Sequence, residues 1–342
     1  TKKSFIIILF IIFLISPSNL YSALKDIKDF GIIALMYHRF DENKYPSTNT
    51  RMTNFKTQIE LIEKNQIKFI NPNNFENNFS LNKNKRKILL TIDDSFLSFY
   101  KVAWPFLKKN KIPFILFVNT KEVGSFNYMN WQQIKEIAKE EFVHIGNHSH
   151  SHEYLVDKSP NEIVNDIKKS ISILKDKTGY STKFFSYPFG EYSLAFKKIV
   201  SELGFKYAFG QHSGVITKDI DSLELPRFPI NEKYGETERF KLIIKTLPLN
   251  FKKIFPEERY IAKKNNPPEV IIEFDEEVKS LKRISCYSNE ENKWRQSEII
   301  FLNKNKLKID LKGKFTTERG RINCSLREND GSWRWLGIQF VI

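Results

Sequence analysis

Short apolar runs alternate with helical patterns from residue 31 to about residue 230. Six runs are apolar or aromatic at most positions, which is typical of strands buried on both faces. They cover residues 31–40, 86–94, 112–120, 141–150, 183–190 and 205–210. Between them, apolar residues recur at helical spacing, as at Ile163, Ile167, Ile171 and Leu174. This alternation predicts a parallel sheet with right-handed crossovers, either open or closed as a barrel.

Helix boundaries can be read at two places. The sequence SPNE begins with Ser159 as an N-cap and Pro160 at the first helical position, and Glu162 completes a capping box. A later helix over residues 192–203 is predicted to end at Gly204, which suits a left-handed C-terminal cap.

The pattern changes after residue 230. Residues 231–265 form a basic, proline-containing stretch, predicted as a linker with a basic helical segment at 239–255. That segment either packs against the first domain or lies on an anionic membrane. Residues 266–342 contain strand-like segments separated by polar turns, without helices between them. We expect an α/β domain at 30–230 and a small β-sandwich-like domain at 266–342.

The N-terminus has the pattern of an export signal. Lys2 and Lys3 precede an apolar stretch at residues 5–15, and Pro17 with small residues follows. The stretch is shorter than the ~20 residues that span a bilayer, which favours a signal peptide at residues 1–23 over an uncleaved anchor. Either alternative predicts an exported protein that is periplasmic, in the cell envelope or extracellular. An anchor would also associate the chain with the membrane.

Charge and composition exclude some classes of function. The 342-residue chain carries a formal net charge of +15, and its basic residues are spread along the sequence rather than gathered in blocks. This distribution favours a solvated surface over a nucleic-acid groove, and no zinc-finger, RNA-recognition or helix-turn-helix pattern is present. We therefore predict no nucleic-acid partner. The oligomeric state is left open.

Two acids and a histidine cluster indicate a metal site. Asp93 and Asp94 follow the apolar run LLTI, and a buried carboxylate stays charged only when it is paired, hydrogen-bonded or bound to a metal. Four of the six histidines lie in HIGNHSHSH at residues 144–152. His148 and His152 have a spacing at which two imidazoles can converge on one ion. One carboxylate and two imidazoles leave coordination positions open, as a catalytic metal requires. The alternative is a solvated loop that binds nothing.

Three motifs then carry a family resemblance. TIDDS at 91–95, HSHSH at 148–152 and YPFG at 187–190 resemble the first three motifs of NodB-type polysaccharide deacetylases, carbohydrate esterase family 4. LMYHRF and LPRFPI resemble the branch that contains biofilm poly-N-acetylglucosamine deacetylases. The resemblance covers roughly residues 30 to 230. It implies an α/β fold, a distorted (β/α) barrel of the polysaccharide deacetylase type, followed here by the small all-β domain.

The resemblance also implies roles for individual residues. Asp94, His148 and His152 correspond to the ligands of one divalent metal, Zn²⁺ first, with Co²⁺, Ni²⁺ or Mn²⁺ also able to satisfy such ligands. Asp93 corresponds to the general base, and the substrate and oxyanion contacts are assigned to Phe189 and Tyr187.

Two positions depart from the family pattern. Ser186 stands where the family usually has an arginine, so either that role is absent or Arg227 reaches in from another strand. Alternatively, Arg227 forms an ordinary ion pair at the protein surface. No late histidine motif is present, and His212 is the candidate proton donor, with a solvated turn as its alternative. His38 follows the first predicted strand, so it either lines the end of the barrel at which the active site is expected or makes a structural hydrogen bond.

The second domain leaves further alternatives open. Cys286 and Cys324 either pair across the sandwich or remain buried thiols. Trp333 and Trp335 lie on one face of a strand and either form core or stack on sugar rings.

The sequence thus predicts a metal-dependent hydrolase, acting on carbon–nitrogen bonds other than peptide bonds, that removes N-acetyl groups from N-acetylhexosamine units of a polysaccharide. The alternatives are an O-acetyl esterase or small-amide hydrolase on the same scaffold, and a non-catalytic carbohydrate-binding protein. The latter would have no need for the set of Asp93, Asp94, His148 and His152.

Overall fold

A computed structural model describes residues 30–81, 85–179, 181–275, 278 and 280–342. The predicted signal peptide or anchor at residues 1–23 lies outside the described residues. Within these ranges, no helix combines the length and the apolar character that crossing a membrane would require.

The described strands and helices are numbered in chain order. The strands are β1 Ile32–Tyr37, β2 Arg39–Phe40, β3 Asn49–Thr50, β4 Lys68–Phe69, β5 Lys87–Ile92, β6 Phe114–Val118, β7 Val143–Asn147, β8 Phe184–Ser186, β9 Tyr207–Phe209, β10 Phe228–Pro229, β11 Leu247–Pro248, β12 Phe251–Phe255, β13 Val270–Phe274, β14 Ser285–Ser288, β15 Arg295–Gln296, β16 Glu298–Phe301, β17 Lys306–Asp310, β18 Arg319–Arg327 and β19 Trp333–Val341. The α-helices are α1 Met52–Lys64, α2 Phe75–Leu81, α3 Trp104–Asn110, α4 Trp131–Ala138, α5 Pro160–Thr178, α6 Leu194–Glu202 and α7 Thr237–Ile243. Short 3₁₀ or π turns include Phe99–Ala103, Leu155–Asp157 and Pro188–Gly190.

The first sheet is parallel, as the alternation of strands and helices predicts. Its order is β10-β1-β5-β6-β7-β8-β9, and β4 pairs with β5 beside this path. Every pairing in it is parallel. Between β9 and β10, the described residues close the ring only through a parallel bridge from Phe209 to Leu225. The prediction of a distorted (β/α) barrel is confirmed.

The predicted helix signals have the expected effects. Ser159 and Glu162 form the capping box of α5, and Gly179 ends that helix in the left-handed conformation. The helix predicted at 192–203 is α6, which begins two residues later, at Leu194, after Ser193 caps its N-terminus. Apolar faces of these helices pack in a core cluster that includes Phe185, Phe205 and Ala208.

The C-terminal part is a sandwich of two sheets. One has the order β11-β19-β18-β14-β15 and the other β12-β13-β17-β16. Buried residues such as Phe274, Leu307 and Ile322 form their shared core. Cys286 and Cys324 are opposite each other on β14 and β18 and form a disulfide, so the bond lies within one sheet and not across the sandwich.

The prediction of a helical basic segment at 239–255 needs correction. Only α7 is helical there, whereas β11 pairs with β19 in one sheet of the sandwich and β12 pairs with β13 in the other. Pro248 lacks the N–H that a helix interior requires, and it disfavours the helical conformation for Leu247. Strand pairing with β19 and β13 therefore overrides the basic amphipathic pattern.

Candidate metal centre and active site

Asp94, His148 and His152 converge at the carboxyl ends of neighbouring barrel strands. Asp94 follows β5, and His148 follows β7, two strands further along the sheet. Oδ1 of Asp94 lies 3.3 Å from Nε2 of His148 and 3.2 Å from Nε2 of His152. The turn that returns His152 to the cluster uses left-handed residues, including Ser149 with φ of 65° and His152 with φ of 52°.

These three residues fit a divalent metal ion. Their ligand atoms all lie within 4.8 Å of one another. Around a tetrahedral ion with bonds of about 2.1 Å, ligand atoms are separated by about 3.4 Å, close to the distances found here. Oδ1 of Asp94 is buried and has no hydrogen-bond partner among the described residues. A cation would satisfy this oxygen.

Hydrogen bonds orient the two imidazoles. Nδ1 of His148 donates to the backbone carbonyl of Ser186 at 2.7 Å, which leaves Nε2 to face Asp94. A metal ligand is commonly oriented in this way through its second nitrogen. The backbone N–H of His152 donates to Oγ of Ser149 at 3.0 Å. The carboxylate of Asp166 on α5 accepts hydrogen bonds from the backbone N–H groups of His150 and Ser151 in the same loop.

Asp93 is held by a buried arginine. Arg227 donates from its two terminal nitrogens to the two carboxylate oxygens of Asp93, each at 2.8 Å, and both side chains are fully buried. Arg227 enters from the residue before β10, which is the neighbour of β1 in the sheet. Ser186 accepts from Arg227 at 2.9 Å and donates to Asp93 at 3.2 Å. The small serine therefore occupies the position of the usual arginine and completes the network with Arg227.

The network keeps Asp93 ionised. Burial alone would raise the pKa of its carboxyl group, but the charge and hydrogen bonds of Arg227 outweigh burial and lower that pKa below its ordinary value. Arg227 is fixed in turn by hydrogen bonds from Nε to the carbonyl of Gly210 and from a terminal nitrogen to Thr91. The Asp93 carboxylate lies beside the metal cluster, with Oδ2 3.8 Å from Nε2 of His148.

His38 is the site residue whose importance the sequence understated. β1 pairs with β5 so that Tyr37 is opposite Ile92, and the next residues along the two strands are His38 and Asp93. The His38 ring is almost fully buried and makes no hydrogen bond with the described residues, so a structural hydrogen bond does not account for it. Burial lowers its pKa, against the opposing charges of Asp94 and Asp93. In the sequence, the only indication of this position was that His38 directly follows the first predicted strand; the pairing of that strand with β5 comes from the structure.

Tyr187 is not placed to contact a substrate. Its ring is fully buried and packs edge-on against Phe185 and Phe196. Its hydroxyl donates to the carbonyl of Leu223 and its backbone N–H to the carbonyl of Phe209. The assignment of Tyr187 to substrate or oxyanion contacts is therefore corrected to a structural role: the alternation of β8 turns this side chain into the core under α6.

His212 lies on the cleft wall. Its ring centroid lies 6.2 Å from that of Tyr192, and Arg259 has the largest charge effect on its pKa. Burial, aided by Arg259, lowers its pKa to about 3, so the ring is neutral at neutral pH. The backbone carbonyl of His212 accepts from the N–H of Arg227 at 3.0 Å. This geometry supports a role for its loop in positioning Arg227, and the assignment of His212 as the proton donor stays a prediction.

Phe189 lies at the cleft with an available backbone donor. It has φ of 58° in the turn Pro188–Gly190, and its N–H has no hydrogen-bond partner among the described residues. Its ring contacts His152 edge-on and stacks on Tyr154. Gly190 has φ of +69°, and a Cβ there would lie 2.5 Å from Gln211. The motif thus requires glycine at that position.

The other histidines of the cluster have local partners. His150 pairs through Nδ1 with Thr120 at 2.8 Å. His144 bonds Asn73 at 2.9 Å and Thr182 at 3.1 Å, and burial lowers its pKa to about 4. Neither imidazole belongs to the group of possible metal ligands found among the described residues.

A cleft of about 820 Å³ opens in front of this site, and both domains line it. The barrel contributes His38, Asp94, His152 and Phe189. The sandwich contributes Tyr287, Trp294, Arg321 and Trp335. Trp335 is partly buried, donates to Asn323 and contacts Phe228, so it is both a packing residue and a wall of the cleft. Trp333 does not line the cleft.

Comparison with known proteins agrees with the motifs. Residues 80–208 match the family model described as polysaccharide deacetylase. The poly-beta-1,6-N-acetyl-D-glucosamine N-deacetylase of Staphylococcus epidermidis is 27% identical over 197 residues, which are 54% of this chain and 68% of that protein.

Solved structures share the fold. The Streptococcus pyogenes deacetylase PplD, solved in complex with acetate, is 25% identical with a TM-score of 0.56, and the match covers 62% of this chain and 96% of that chain. IcaB from Ammonifex degensii is 24% identical with a TM-score of 0.58, over 64% of this chain and 98% of that chain. About a third of this chain therefore has no counterpart in either structure.

Proposed function

We propose that this chain, whose residues 80–208 match the polysaccharide deacetylase family model, is a metal-dependent hydrolase that removes N-acetyl groups from N-acetylhexosamine units of a polysaccharide. The carrying observation is the juxtaposition of a three-residue metal-ligand set with a separate carboxylate, Asp93, that Arg227 holds ionised. The poly-N-acetylglucosamine deacetylase from Staphylococcus epidermidis supports the choice of an N-acetylhexosamine polymer.

Asp94, His148 and His152 would hold the metal. When bound, a divalent ion of this kind lowers the pKa of a coordinated water and polarises the carbonyl to be attacked. Zn²⁺ suits one carboxylate and two imidazoles, and Co²⁺, Ni²⁺ and Mn²⁺ can satisfy the same ligands.

Asp93 acts as the general base. Its carboxylate is adjacent to the metal cluster, with Oδ2 3.8 Å from Nε2 of His148. From this position it can accept the proton of the attacking water. Arg227 fixes the orientation of the carboxylate through a two-pronged contact and keeps it deprotonated between turnovers. Arg227 is therefore a positioning residue.

Phe189 and His38 serve the later steps. Phe189 lines the cleft beside His152, and its unpaired N–H stabilises the negative charge that develops on the acetyl oxygen. His38 lines the same cleft beside Asp93 and donates a proton to the departing amine nitrogen. Because burial lowers the pKa of His38, its protonated form is a stronger acid than an exposed imidazolium.

We also propose that the protein is exported. The predicted signal sequence supports this, and so does the Cys286–Cys324 disulfide, since disulfides persist mainly in oxidising compartments.

Acetate release provides the test. Purified full-length protein loaded with Zn²⁺ is incubated with an N-acetylglucosamine oligomer, with an O-acetylated and N-unsubstituted oligomer, and with a small cyclic amide. We expect acetate and free amines from the first substrate only. Hydrolysis restricted to the O-acetyl ester or to the cyclic amide would contradict the proposed activity.

A further inference from the structure

The cleft in front of the metal centre is lined by basic side chains. Lys233, Arg239, Arg319 and Arg321 line it, whereas Asp94 is its one acidic residue among those described. Asp94 is already engaged by two imidazoles. A cleft lined by one sign of charge concentrates ligands of the opposite sign.

Two of these arginines have no acidic partner. Arg319 is neutralised by Glu191, at 2.7 Å. Arg239 and Arg321 form no ion pair with any carboxylate of the described residues. Burial lowers the pKa of Arg239 to about 10 and also lowers the pKa of Arg321. Arginine side chains stay protonated in proteins. Partly buried, uncompensated guanidinium groups are costly unless a ligand pairs with them.

The two arginines approach the cleft from opposite walls. Arg239 lies on α7 of the barrel side, where its guanidinium stacks over the ring of Tyr234 at 4.9 Å. Arg321 lies on β18 of the sandwich and interacts electrostatically with the same tyrosine. Tyr234 therefore marks the place at which the walls face each other.

Arg321 is also tied to the catalytic loop. Its Nε donates to Gln339 at 3.2 Å, and Gln339 donates to the carbonyls of Phe189 and Gly190 at 3.3 and 3.2 Å. The two terminal nitrogens of Arg321 have no hydrogen-bond partner among the described residues. They are free to bind a ligand one side chain away from the proposed oxyanion donor.

We propose that the C-terminal sandwich is a specificity element, and that Arg239 and Arg321 bind an anionic substituent of the glycan, a carboxylate or a phosphate, next to the N-acetylhexosamine unit that is hydrolysed. This inference rests on the proposed function and names its substrate class as an acidic N-acetylated glycan. Arginine suits the role because its planar fork binds carboxylate and phosphate through two hydrogen bonds.

Two further observations agree with this substrate. Tyr287 and Trp294 line the same cleft and remain 44% and 48% exposed, so aromatic faces are available to sugar rings beside the arginines. The matches to the PplD and IcaB structures cover 62% and 64% of this chain and 96% and 98% of those chains, so about a third of this chain is additional to the shared fold.

Calorimetric binding to the full-length chain tests the inference with three size-matched probes. They are a neutral N-acetylglucosamine oligomer, an oligomer in which N-acetylglucosamine alternates with a hexuronic acid, and an N-acetylglucosamine oligomer joined by phosphodiesters. At 50 mM NaCl we expect one of the acidic probes to bind at least about tenfold more tightly than the neutral one. The ratio of the two affinities should decrease at 500 mM NaCl because salt screens the charges. The preferred probe identifies carboxylate or phosphate as the source of the charge.

Matched variants assign the effect to the two arginines. Arg239→Gln and Arg321→Gln should each reduce the ratio of acidic to neutral affinity by about tenfold, as expected for the loss of one charged hydrogen-bonding contact. Arg327→Gln, an arginine at the end of the same strand β18 that does not line the cleft, should leave the ratio unchanged.

Several results would overturn the inference: equal affinity for neutral and acidic probes, a ratio that both glutamine variants preserve, or equally tight binding of polygalacturonate, which lacks N-acetyl groups. Acetate release from the same probes separates this inference from the proposed function. Deacetylation without any preference for acidic probes overturns the inference alone. Arginine-dependent binding of an acidic probe without acetate release from any probe overturns the deacetylase activity and supports the anion site.

Discussion

Replacing Arg227 with methionine removes the guanidinium that holds Asp93 while leaving the metal ligands untouched. Arg227 makes five hydrogen bonds, two of them to Asp93, and neither side chain is exposed. Loss of one partner from a buried ion pair costs about 3–5 kcal/mol, because the other charge is left without compensation. The free energy of unfolding of Arg227→Met should fall by about that amount at neutral pH.

The same loss changes the protonation of Asp93. The folded protein can relieve an unpaired buried carboxylate by protonating it, so the pKa of Asp93 should rise when Arg227 no longer pairs with it. A general base works only when ionised. The acid limb of the pH dependence of kcat/KM should therefore move to higher pH, and kcat/KM at pH 7 should fall by at least ~10².

The assay measures acetate release against pH, with metal content and circular dichroism measured on each sample. Arg227→Lys keeps the charge without the fork and should retain part of the activity. Arg259→Met is a matched control, because Arg259 is also buried and pairs with Glu224, at 3.8 Å, outside the metal cluster. It should lose stability without moving the acid limb. A wild-type rate and pH profile in folded, metal-loaded Arg227→Met would refute the reasoning.

Three further predictions concern the histidines. His148→Ala or His152→Ala should abolish stoichiometric metal binding, measured by mass spectrometry of the bound metal, whereas His150→Ala should retain it; equal metal content in all three variants would contradict the ligand assignment. His38→Gln should lower kcat by ~10²–10⁴ with normal metal content, as for loss of a general acid, and a rate near wild type would exclude that role. His144 has a pKa lowered from 6.5 to about 4, so the unfolded chain binds its proton first as the pH falls. Stability should therefore be lost below pH 6.5, by about 2 kcal/mol at pH 5 from this residue, and urea unfolding of His144→Asn should show a correspondingly weaker pH dependence.

The sequence predicted that Asp94, His148 and His152 form one group because the parts of that group are local. Asp93 and Asp94 are adjacent, and His148 and His152 lie within one loop, so each pair could be placed at a strand end from nearby residues alone. Only their meeting in space depended on the sheet. Parallel strands bring their carboxyl ends to one edge, which made that meeting predictable as well.

The position of His38 was harder to predict because it depends on strand order. His38 lies beside Asp93 because β1 pairs directly with β5, and the sequence does not give that neighbourhood. His212, in a glycine-containing loop, had the more suggestive context. Its surroundings, which include Tyr192 and the charge of Arg259, are set by tertiary contacts rather than by residue type.

The second domain shows a similar division. The alternation of its strands predicted a sandwich, but not that the sandwich lines the catalytic cleft. Contacts such as that of Gln339 with the loop of Phe189 join segments far apart in the chain. The basic pattern at 239–255 suggested a helix, and pairing with two sheets made most of it extended.

The central claim is tested most directly by measuring bound metal and acetate release together in the wild-type chain and in Asp93→Asn. The substitution removes the proposed base but none of the proposed ligands. The account predicts one divalent ion per chain in both proteins, acetate release from an N-acetylhexosamine oligomer by the wild type, and a rate lower by ~10²–10⁴ in Asp93→Asn. An Asp93→Asn variant as active as the wild type, or a metal-loaded wild type that releases no acetate from the oligomer, would contradict it.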